Sequence, residues 1–219
     1  MQKIEVNQET YESLKRSVRG FYYKYNTQVQ RWYITKIFNY NGLLESAKYF
    51  DNFEDYFKYH TKGKEKLMVQ YFNKMYDEAR QKGLNPTPEL VQYCLIVRLG
   101  NIYNGMYNEN KVLKTFNNLA PYITCTETSK KIDIDYKVDG IVELKNVNKI
   151  GIQIKPITFL KYDKGGELRY HSKFTKKFGY KVHYVFYKDR YTIMFNNKEI
   201  KLENKKEIIK QLEKIMIYS

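Results

Sequence analysis

The stretch DYKVDGIVELKNVNKIGIQIKPIT, residues 135–158, contains two apolar runs separated by a polar turn around Asn146 and Asn148. In the second run, isoleucines alternate with small or polar residues: Ile150, Gly151, Ile152, Gln153, Ile154 and Lys155. Strict alternation predicts a half-buried strand with the isoleucines on one face and the glutamine and lysine on the other. We therefore predict a β-hairpin whose first strand carries the acid Asp139.

The composition indicates a globular protein with a polyanionic partner. The chain has 219 residues, of which 42% are hydrophobic, and 39 Lys and Arg against 24 Asp and Glu give a net charge of +15. Such an excess speeds association with polyanions, so nucleic acid is the first partner to expect. The 23 tyrosines are explained either by compositional bias or by contacts with phosphates and bases.

Targeting features and cysteines favour a cytoplasmic location. The sequence has no run approaching the roughly 18–20 apolar residues of a membrane span, and its N-terminus lacks the apolar core of a signal peptide. Cys94 and Cys125 lie in apolar contexts, so we expect both to be reduced core residues.

The first half of the chain has helical periodicity. Helices are predicted over 9–26 and 67–79, with one or two short helices between them. Thr87, Pro88 and Glu89 form a helix start, with an N-cap, a first-turn proline and a first-turn acid. The helix from Pro88 is predicted to break or bend near Gly100 and Gly105 before a further helix over 107–119.

After Pro121, short β-branched and aromatic runs predict strands over 122–128, 135–144, 150–158, 182–187 and 191–195. Residues 161–180 predict a loop and a helix that crosses the sheet, and 205–217 predict an amphipathic helix. The fold class is α/β (α+β): a helical region, 1–86, fused to a mixed-sheet core, 87–219. No Pro/Gly/Ser-rich linker divides them, so we expect one globular unit.

The order helix, strand, strand with Asp139, strand with Gln153-x-Lys155, helix, strand resembles the PD-(D/E)XK nucleases, which include many type II restriction endonucleases. The segment GMYNE adds Glu109 in the helix before the sheet, as in many members. The resemblance covers roughly residues 88–190. Val138 stands where the family name has proline. Gln153 replaces the usual acid, and an amide oxygen is a weaker ligand for a hard cation than a carboxylate.

The resemblance implies a mixed sheet flanked by helices and a Mg²⁺ ion, replaceable by Mn²⁺, beside the scissile phosphate. Its ligands would be Asp139, Glu109, Gln153 and the carbonyl of Ile154, and Lys155 would orient the water or stabilise charge. The implied activity is that of a type II restriction endonuclease that cuts double-stranded DNA as a homodimer.

Other interpretations of the same residues remain open at this point. Asp139–Gly140 is also a two-residue turn signal that would place Asp139 at a loop tip. Gln153 and Lys155 could line the solvent side of a strand, and Glu109 could be an ordinary exposed helix residue. Asp133 and Asp135 are reserve metal ligands, and His171 is expected to be a surface or packing residue.

Pairing register offers a test of the proposed site. Directly opposite residues of an antiparallel pair share a face, and a slip by one residue reverses this. Asp139 faces Gln153 if the turn holds an odd number of residues, for instance 145–147. With an even turn Asp139 faces Ile154.

A basic cluster follows the second strand of the hairpin and predicts contacts to the DNA backbone: Lys161, Arg169, Lys173, Lys176 and Lys177. The alternative is a solvated helix face. Two further functions remain open, a non-catalytic nucleic-acid-binding protein and a structural protein that binds an acidic partner.

Overall fold

The computed structural model describes residues 6–24, 33–144, 148–161 and 165–217. Two compact units make up the chain, Met1–Tyr107 and Asn108–Ser219. Their division falls inside a long helix, whereas the sequence placed a boundary before that helix, at 86/87. The fold class is α+β, with helices in the N-terminal half and a mixed sheet in the C-terminal half, as predicted.

The first unit is helical. Its helices are α1 Gln8–Lys24, α2 Tyr40–Ser46, α3 Phe53–Thr61, α4 Glu65–Gln81 and the first part of α5 Pro88–Asn117. Helical backbone also occurs at 33–37, and a 3₁₀ turn covers Ala47–Tyr49. Residues 25–26 of the predicted helix over 9–26 lie outside the described residues. A cluster of buried aromatic rings forms the centre of this core: Tyr11, Phe53, Tyr56 and Tyr103.

The predicted break near Gly100 and Gly105 is wrong, because α5 is one continuous helix of 30 residues. Gly100 is required by packing rather than by a bend. A Cβ there would lie 2.3 Å from Cδ2 of Tyr11, whose ring is buried against the helix. At Gly105 nothing lies within 4 Å of a Cβ position, so the helix tolerates that glycine only at the cost of backbone entropy.

The second unit contains a six-stranded sheet in the order β1 to β6 among the described residues. The strands are β1 Ile123–Glu127, β2 Gly140–Leu144, β3 Asn148–Pro156, β4 Val182–Tyr187, β5 Thr192–Phe195 and β6 Lys198–Lys201. Only the β3–β4 pair is parallel in this sheet, and the other neighbours are antiparallel. The parallel step requires a crossover, which helix α7 Gly165–Phe178 supplies as predicted for 161–180.

Two elements of this unit differ from the prediction. The first part of the expected strand over 135–144 belongs to helix α6, Lys130–Tyr136, which Ser129 caps through its side chain. A strand at 198–201 was not predicted. The helix predicted over 205–217 is confirmed as α8, Lys205–Ile217.

Different helices pack on the two faces of strand β3. Its isoleucines are buried in one core with residues of α5 and α8, including Leu113 and Leu212. The opposite face is covered by α7, and Gly151 allows the close approach. A Cβ on Gly151 would lie 3.2 Å from Phe174 Cε1 and equally close to side-chain atoms of Val138 and Val182. The glycine of the alternating run thus sets the distance between α7 and the sheet.

Cys94 and Cys125 are buried free thiols, as predicted. Within the described ranges, no helix has the length and apolar character that would let it cross a membrane.

Replacing Gly151 by valine should lower the free energy of unfolding by about 1–3 kcal/mol, because the new methyls overpack the contact with α7. Urea unfolding followed by circular dichroism measures this. The companion variant Gly105→Ala should raise stability by about 0.5–1 kcal/mol, since its methyl meets open space in a helix interior. Wild-type stability of Gly151→Val would contradict the packing described here.

Candidate active site

The candidate site is a notch in the sheet where β3 extends past the start of β2. The register pairs Gly140 with Ile152, so the end of β3, through Pro156, has no β2 ladder partner. On its other side the same segment continues to pair with β4, where Ile154 lies opposite Val185. The backbone N–H and C=O groups of β3 that face away from β4 therefore have no strand partner at the notch, and side chains have to satisfy them.

Asp139 fills this notch. Its N–H donates to Ile152 O at 2.9 Å, and its carbonyl accepts from the N–H of Thr128 at 3.0 Å. Its carboxylate Oδ2 accepts from the N–H of Ile154 at 2.6 Å in a buried hydrogen bond. In an extended strand the N–H and C=O of one residue point to the same side, so the Ile154 carbonyl also faces the notch.

The observed register is the one that an odd turn produces. Leu144 pairs with Asn148, so three residues connect the strands; these residues, 145–147, lie outside the described part of the chain. Asp139 is therefore not at the tip of a two-residue turn, and the turn interpretation of Asp139–Gly140 is wrong. The predicted pairing of Asp139 with Gln153 is nevertheless wrong: β2 begins at Gly140, so Asp139 lies just before the strand that was expected to carry it, and its N–H bonds to Ile152 rather than entering the ladder.

Glu109 reaches the site from α5. It precedes Leu113 by one helical turn, so both side chains lie on one helix face, and Leu113 packs on the start of β2 near Gly140. Burial, reinforced by the charges of Asp139 and Asp133, raises the pKa of Glu109 from 4.5 to about 9. The interpretation of Glu109 as an exposed residue is wrong.

The pKa of the Asp139 carboxyl is also shifted. Burial raises its pKa from 3.8 to about 6, although the Ile154 N–H and the Lys155 ammonium both favour the charged form. Without a bound cation, these carboxyl groups thus keep a proton to higher pH than free carboxyl groups do. Carboxyl groups whose proton affinity is raised by burial and by neighbouring acids are typical of functional sites.

Gln153 is fully buried and does not line the solvent side of the strand. Its Oε1 lies 2.9 Å from His171 Nε2, which also lies 3.3 Å from the carbonyl oxygen of Lys137. A carbonyl only accepts, so the tautomer with hydrogen on Nε2 satisfies both contacts. Gln153 Nε2 is buried and has no hydrogen-bond partner among the described residues.

Lys155 is half-buried, and its Nζ lies 3.8 Å from Glu167 Oε1, with side-chain exposures of 27% and 24%. Tyr184 donates its hydroxyl hydrogen to Glu167 Oε2 at 3.1 Å. The ammonium therefore stands between the notch carboxylates and an acid in the first turn of α7, and the charge of Glu167 also raises the pKa of Asp139.

Sequence reasoning did not single out Glu167, and it expected His171 only to pack. Both lie on the inward face of α7 at the spacing i and i+4, and this face touches both residues of the Gln153-x-Lys155 pair. That spacing is present in the sequence, but it gains meaning only once the helix is known to cover this face of β3.

The remaining predicted residues lie around this centre. Asp133 and Asp135 are exposed on α6, and Asp133 is close enough for its charge to raise the pKa of Glu109 and of Asp139. Lys161 is exposed after β3. Four of the basic residues are exposed on α7: Arg169, Lys173, Lys176 and Lys177.

The residues of the notch suit a hard divalent cation. No cluster of three or more His, Cys, Asp or Glu side chains arranged for a metal occurs in the described ranges. Magnesium, however, is commonly held by one or two carboxylates, with water completing its shell. Asp139 and Glu109 supply two carboxylates, and Gln153 and the Ile154 carbonyl supply neutral oxygens. The unsatisfied Gln153 amide would gain a hydrogen bond from a polar ligand.

Comparison of the chain with protein-family models, with curated proteins and with solved structures found no match.

The contribution of Glu109 to the stability of the cation-free protein should fall as the pH rises from about 6 to about 8. The folded state retains the Glu109 proton up to a pKa of about 9, whereas the unfolded chain releases it near the ordinary value of 4.5. A raised carboxyl pKa therefore stabilises the fold at low pH, and this contribution is lost on the way to alkaline pH. Glu109→Gln should remove about 1–3 kcal/mol of this pH dependence.

Urea unfolding in EDTA at both pH values provides the measurement. Glu143→Gln is a matched control, because Glu143 is a half-buried acid on β2 in an ion pair with Lys149 at 2.8 Å. The control should keep the wild-type pH dependence. Equal pH dependence in wild type and Glu109→Gln would show that Glu109 is not a protonated buried acid.

Proposed function

We propose that this protein is a metal-dependent nuclease that hydrolyses phosphodiester bonds of double-stranded DNA. The observation that carries this proposal is the convergence of Asp139, Glu109 and Lys155 at the notch between β2 and β3. Carboxylates that hold a divalent cation beside an ammonium group form the arrangement that phosphodiester hydrolysis requires. The fold class and the order of these elements agree with the resemblance to PD-(D/E)XK nucleases.

Each residue has a role that follows from its surroundings. Asp139 and Glu109 would hold the cation, and Glu109 would have to release its proton to serve as a ligand. When bound, Mg²⁺ lowers the pKa of a water molecule and stabilises charge on the phosphate. Lys155 donates to a phosphate oxygen or to the attacking water. Glu167 holds the Lys155 ammonium near that position before substrate arrives.

Gln153 contributes through its amide. An amide oxygen has two lone pairs, so Oε1 can accept from His171 and still face a ligand. Its NH₂ group is the buried donor without a partner among the described residues, and it suits a phosphate oxygen or a bound water. The replacement of the usual acid by Gln153 thus lowers the negative charge of the site while keeping a polar group in place.

The outer face of α7 provides a surface for the DNA backbone. Arg169, Lys173, Lys176 and Lys177 recur at helical spacing opposite the buried His171 and Phe174. The Tyr136 ring lies beside these residues, and its hydroxyl accepts a hydrogen bond from Lys177 Nζ at 3.2 Å. Because the inner face of the same helix contacts Gln153 and Lys155, DNA on the outer face would lie near the notch.

The finer assignment is a type II restriction endonuclease that acts as a homodimer in the cytoplasm with Mg²⁺ or Mn²⁺. It follows from the resemblance and from the need to cut both strands of a two-fold symmetric site. Mapping the ends of fragments from a digest of DNA of known sequence tests it.

A non-catalytic nucleic-acid-binding protein is the second candidate, favoured by the same basic face of α7. Incubating plasmid DNA with Mg²⁺ or with EDTA separates the two functions. Discrete fragments that form only with Mg²⁺ support the nuclease. A salt-sensitive mobility shift without cutting supports the second candidate.

Asp139→Ala and Lys155→Ala should each reduce DNA cleavage by at least about 10²–10³-fold, because the first removes a ligand of the cation and the second removes a positive charge that stabilises the transition state. Affinity for DNA in EDTA should stay within about threefold of wild type, since the backbone contacts supply most of it. Plasmid cleavage and fluorescence anisotropy measure the two quantities.

A matched pair of control variants lies on the same two strands, where Glu143 and Lys149 form a 2.8 Å ion pair away from the notch. Glu143→Ala and Lys149→Ala should cut DNA at close to the wild-type rate. Normal cleavage by Asp139→Ala or by Lys155→Ala would overturn the assignment of the site.

Replacing Lys173, Lys176 and Lys177 together by alanine should weaken DNA binding and reduce its salt dependence. Each lost phosphate contact lowers the slope of log K against log salt by about 0.9, so the slope should fall by up to about 3. Binding is measured by anisotropy at several salt concentrations.

The control for this change is a triple alanine variant at Lys206, Lys210 and Lys214, which are exposed lysines of α8. It removes the same charge from a different helix and should keep most of the salt dependence. Equal losses in both triple variants would mean that net charge, rather than the α7 face, determines binding.

A further inference from the structure

A cavity separate from the notch lies in the second unit, formed by α5, the β4–β5 turn and the end of β6 with the segment after it. Its volume is about 570 Å³, and its lining includes Lys111, Asp189, Tyr191, Lys201 and Glu203. This volume is in the range of sites that hold small ligands, about 300–1,000 Å³. None of these residues belongs to the notch.

The Tyr191 ring is the prominent surface of this cavity. The side chain is 68% exposed, although its backbone is fixed on both sides. The Tyr191 N–H donates to Asp189 Oδ1 at 2.7 Å, and its carbonyl accepts from the N–H of Leu202 at 2.8 Å. An exposed aromatic ring on a fixed backbone is suited to stacking on a planar ligand.

Two lysines line the cavity, and one of them contacts this ring. Lys111 Nζ lies 4.4 Å from the Tyr191 ring centroid, and Lys201 lines the same cavity. The charge of the Arg190 guanidinium also acts on Lys111, so like charges are gathered here. Asp189 is held in the turn by its bond to the Tyr191 N–H. A phosphate would relieve the repulsion between the cations.

The cavity opens at the same edge of the sheet as the notch. Strands β3 and β4 are parallel, with Lys155 opposite Phe186, so both end at this edge. The turn that carries Asp189 and Tyr191 follows β4 directly. On α5, Lys111 is two residues beyond Glu109, a rise of about 3 Å along the helix axis.

We propose that this cavity binds one nucleotide, with its base stacked on Tyr191 and its phosphate between Lys111 and Lys201. Within a longer DNA strand it holds a nucleotide that flanks the bond at the notch, and this part rests on the proposed nuclease function. Base stacking on an aromatic ring tolerates any base, so the pocket recognises nucleotides as a class.

The experiment titrates the full chain with deoxyadenosine 5′-monophosphate in a calorimeter; this probe has no phosphodiester bond, so cleavage does not interfere. The nucleotide should bind, and deoxyribose 5-phosphate should bind at least roughly tenfold more weakly, because it has no base to stack. A Tyr191→Ala change should weaken nucleotide binding at least roughly tenfold. Tyr191→Phe should preserve it.

Tyr49 provides a matched control, because it is a 75% exposed tyrosine with Lys48 Nζ 5.5 Å from its ring centroid. Tyr49→Ala should bind the nucleotide like its parent. The proposal is overturned if the nucleotide does not bind, or if Tyr191→Ala binds it with unchanged affinity.

The nuclease proposal and the pocket proposal fail independently. A wild-type protein that cuts plasmid DNA with Mg²⁺ but whose nucleotide affinity ignores Tyr191 refutes the pocket alone. Nucleotide binding that depends on Tyr191 in a protein that never cuts DNA confirms the pocket and refutes its role beside a scissile bond.

Discussion

The 2.6 Å hydrogen bond from the Ile154 N–H to the Asp139 carboxylate is the contact on which the site depends. It forms because β3 is longer than β2 on this side, so a side chain rather than a strand satisfies the backbone. The bond fixes a buried negative charge at the edge of a parallel strand pair. Burial of that charge is costly unless donors or cations compensate it, and the surrounding groups supply both.

Helix α7 connects the two surfaces that the proposed nuclease needs. Its inward side chains hold Lys155 through Glu167 and Gln153 through His171, and its outward face carries the basic residues. The packing of Phe174 against Gly151 sets the height of the helix above the sheet. A change in that height would move the Lys155 ammonium and the Gln153 amide together. The position of α7 therefore determines both the geometry of the notch and the placement of DNA.

The sequence predicted those elements whose hydrophobic periodicity fits either a helix or a strand but not both. The alternation from Ile150 to Lys155 identified β3, and the helix start at Thr87–Pro88 identified α5. Helix α6 was missed because residues 129–134 were left between two predicted strands: Ile132 and Ile134 alternate with Asp133 and Asp135 and lack a helical period. The Ser129 cap was the contrary signal.

The candidate site was predictable in part for similar reasons. Alternation placed Gln153 and Lys155 on one face of β3, and Asp139 was expected nearby on the preceding strand, although it comes directly before the start of β2. Glu109 was found through its spacing in GMYNE, although its burial was not evident. Glu167 and His171 could not be assigned, because their contacts depend on which face of α7 meets β3. That choice is made by packing at Gly151, which the sequence pattern does not reveal.

Calorimetric titration of the full chain with Mn²⁺ near pH 7.5, in two buffers of different ionisation enthalpy, tests the central claim most directly. We predict one bound ion and the release of protons on binding, because the carboxyl groups of the notch keep a proton until a cation replaces it. Both signals should vanish in Asp139→Asn, and Glu109→Gln should lose the proton release. Failure to bind Mn²⁺, or binding that is unchanged in Asp139→Asn, would contradict the account.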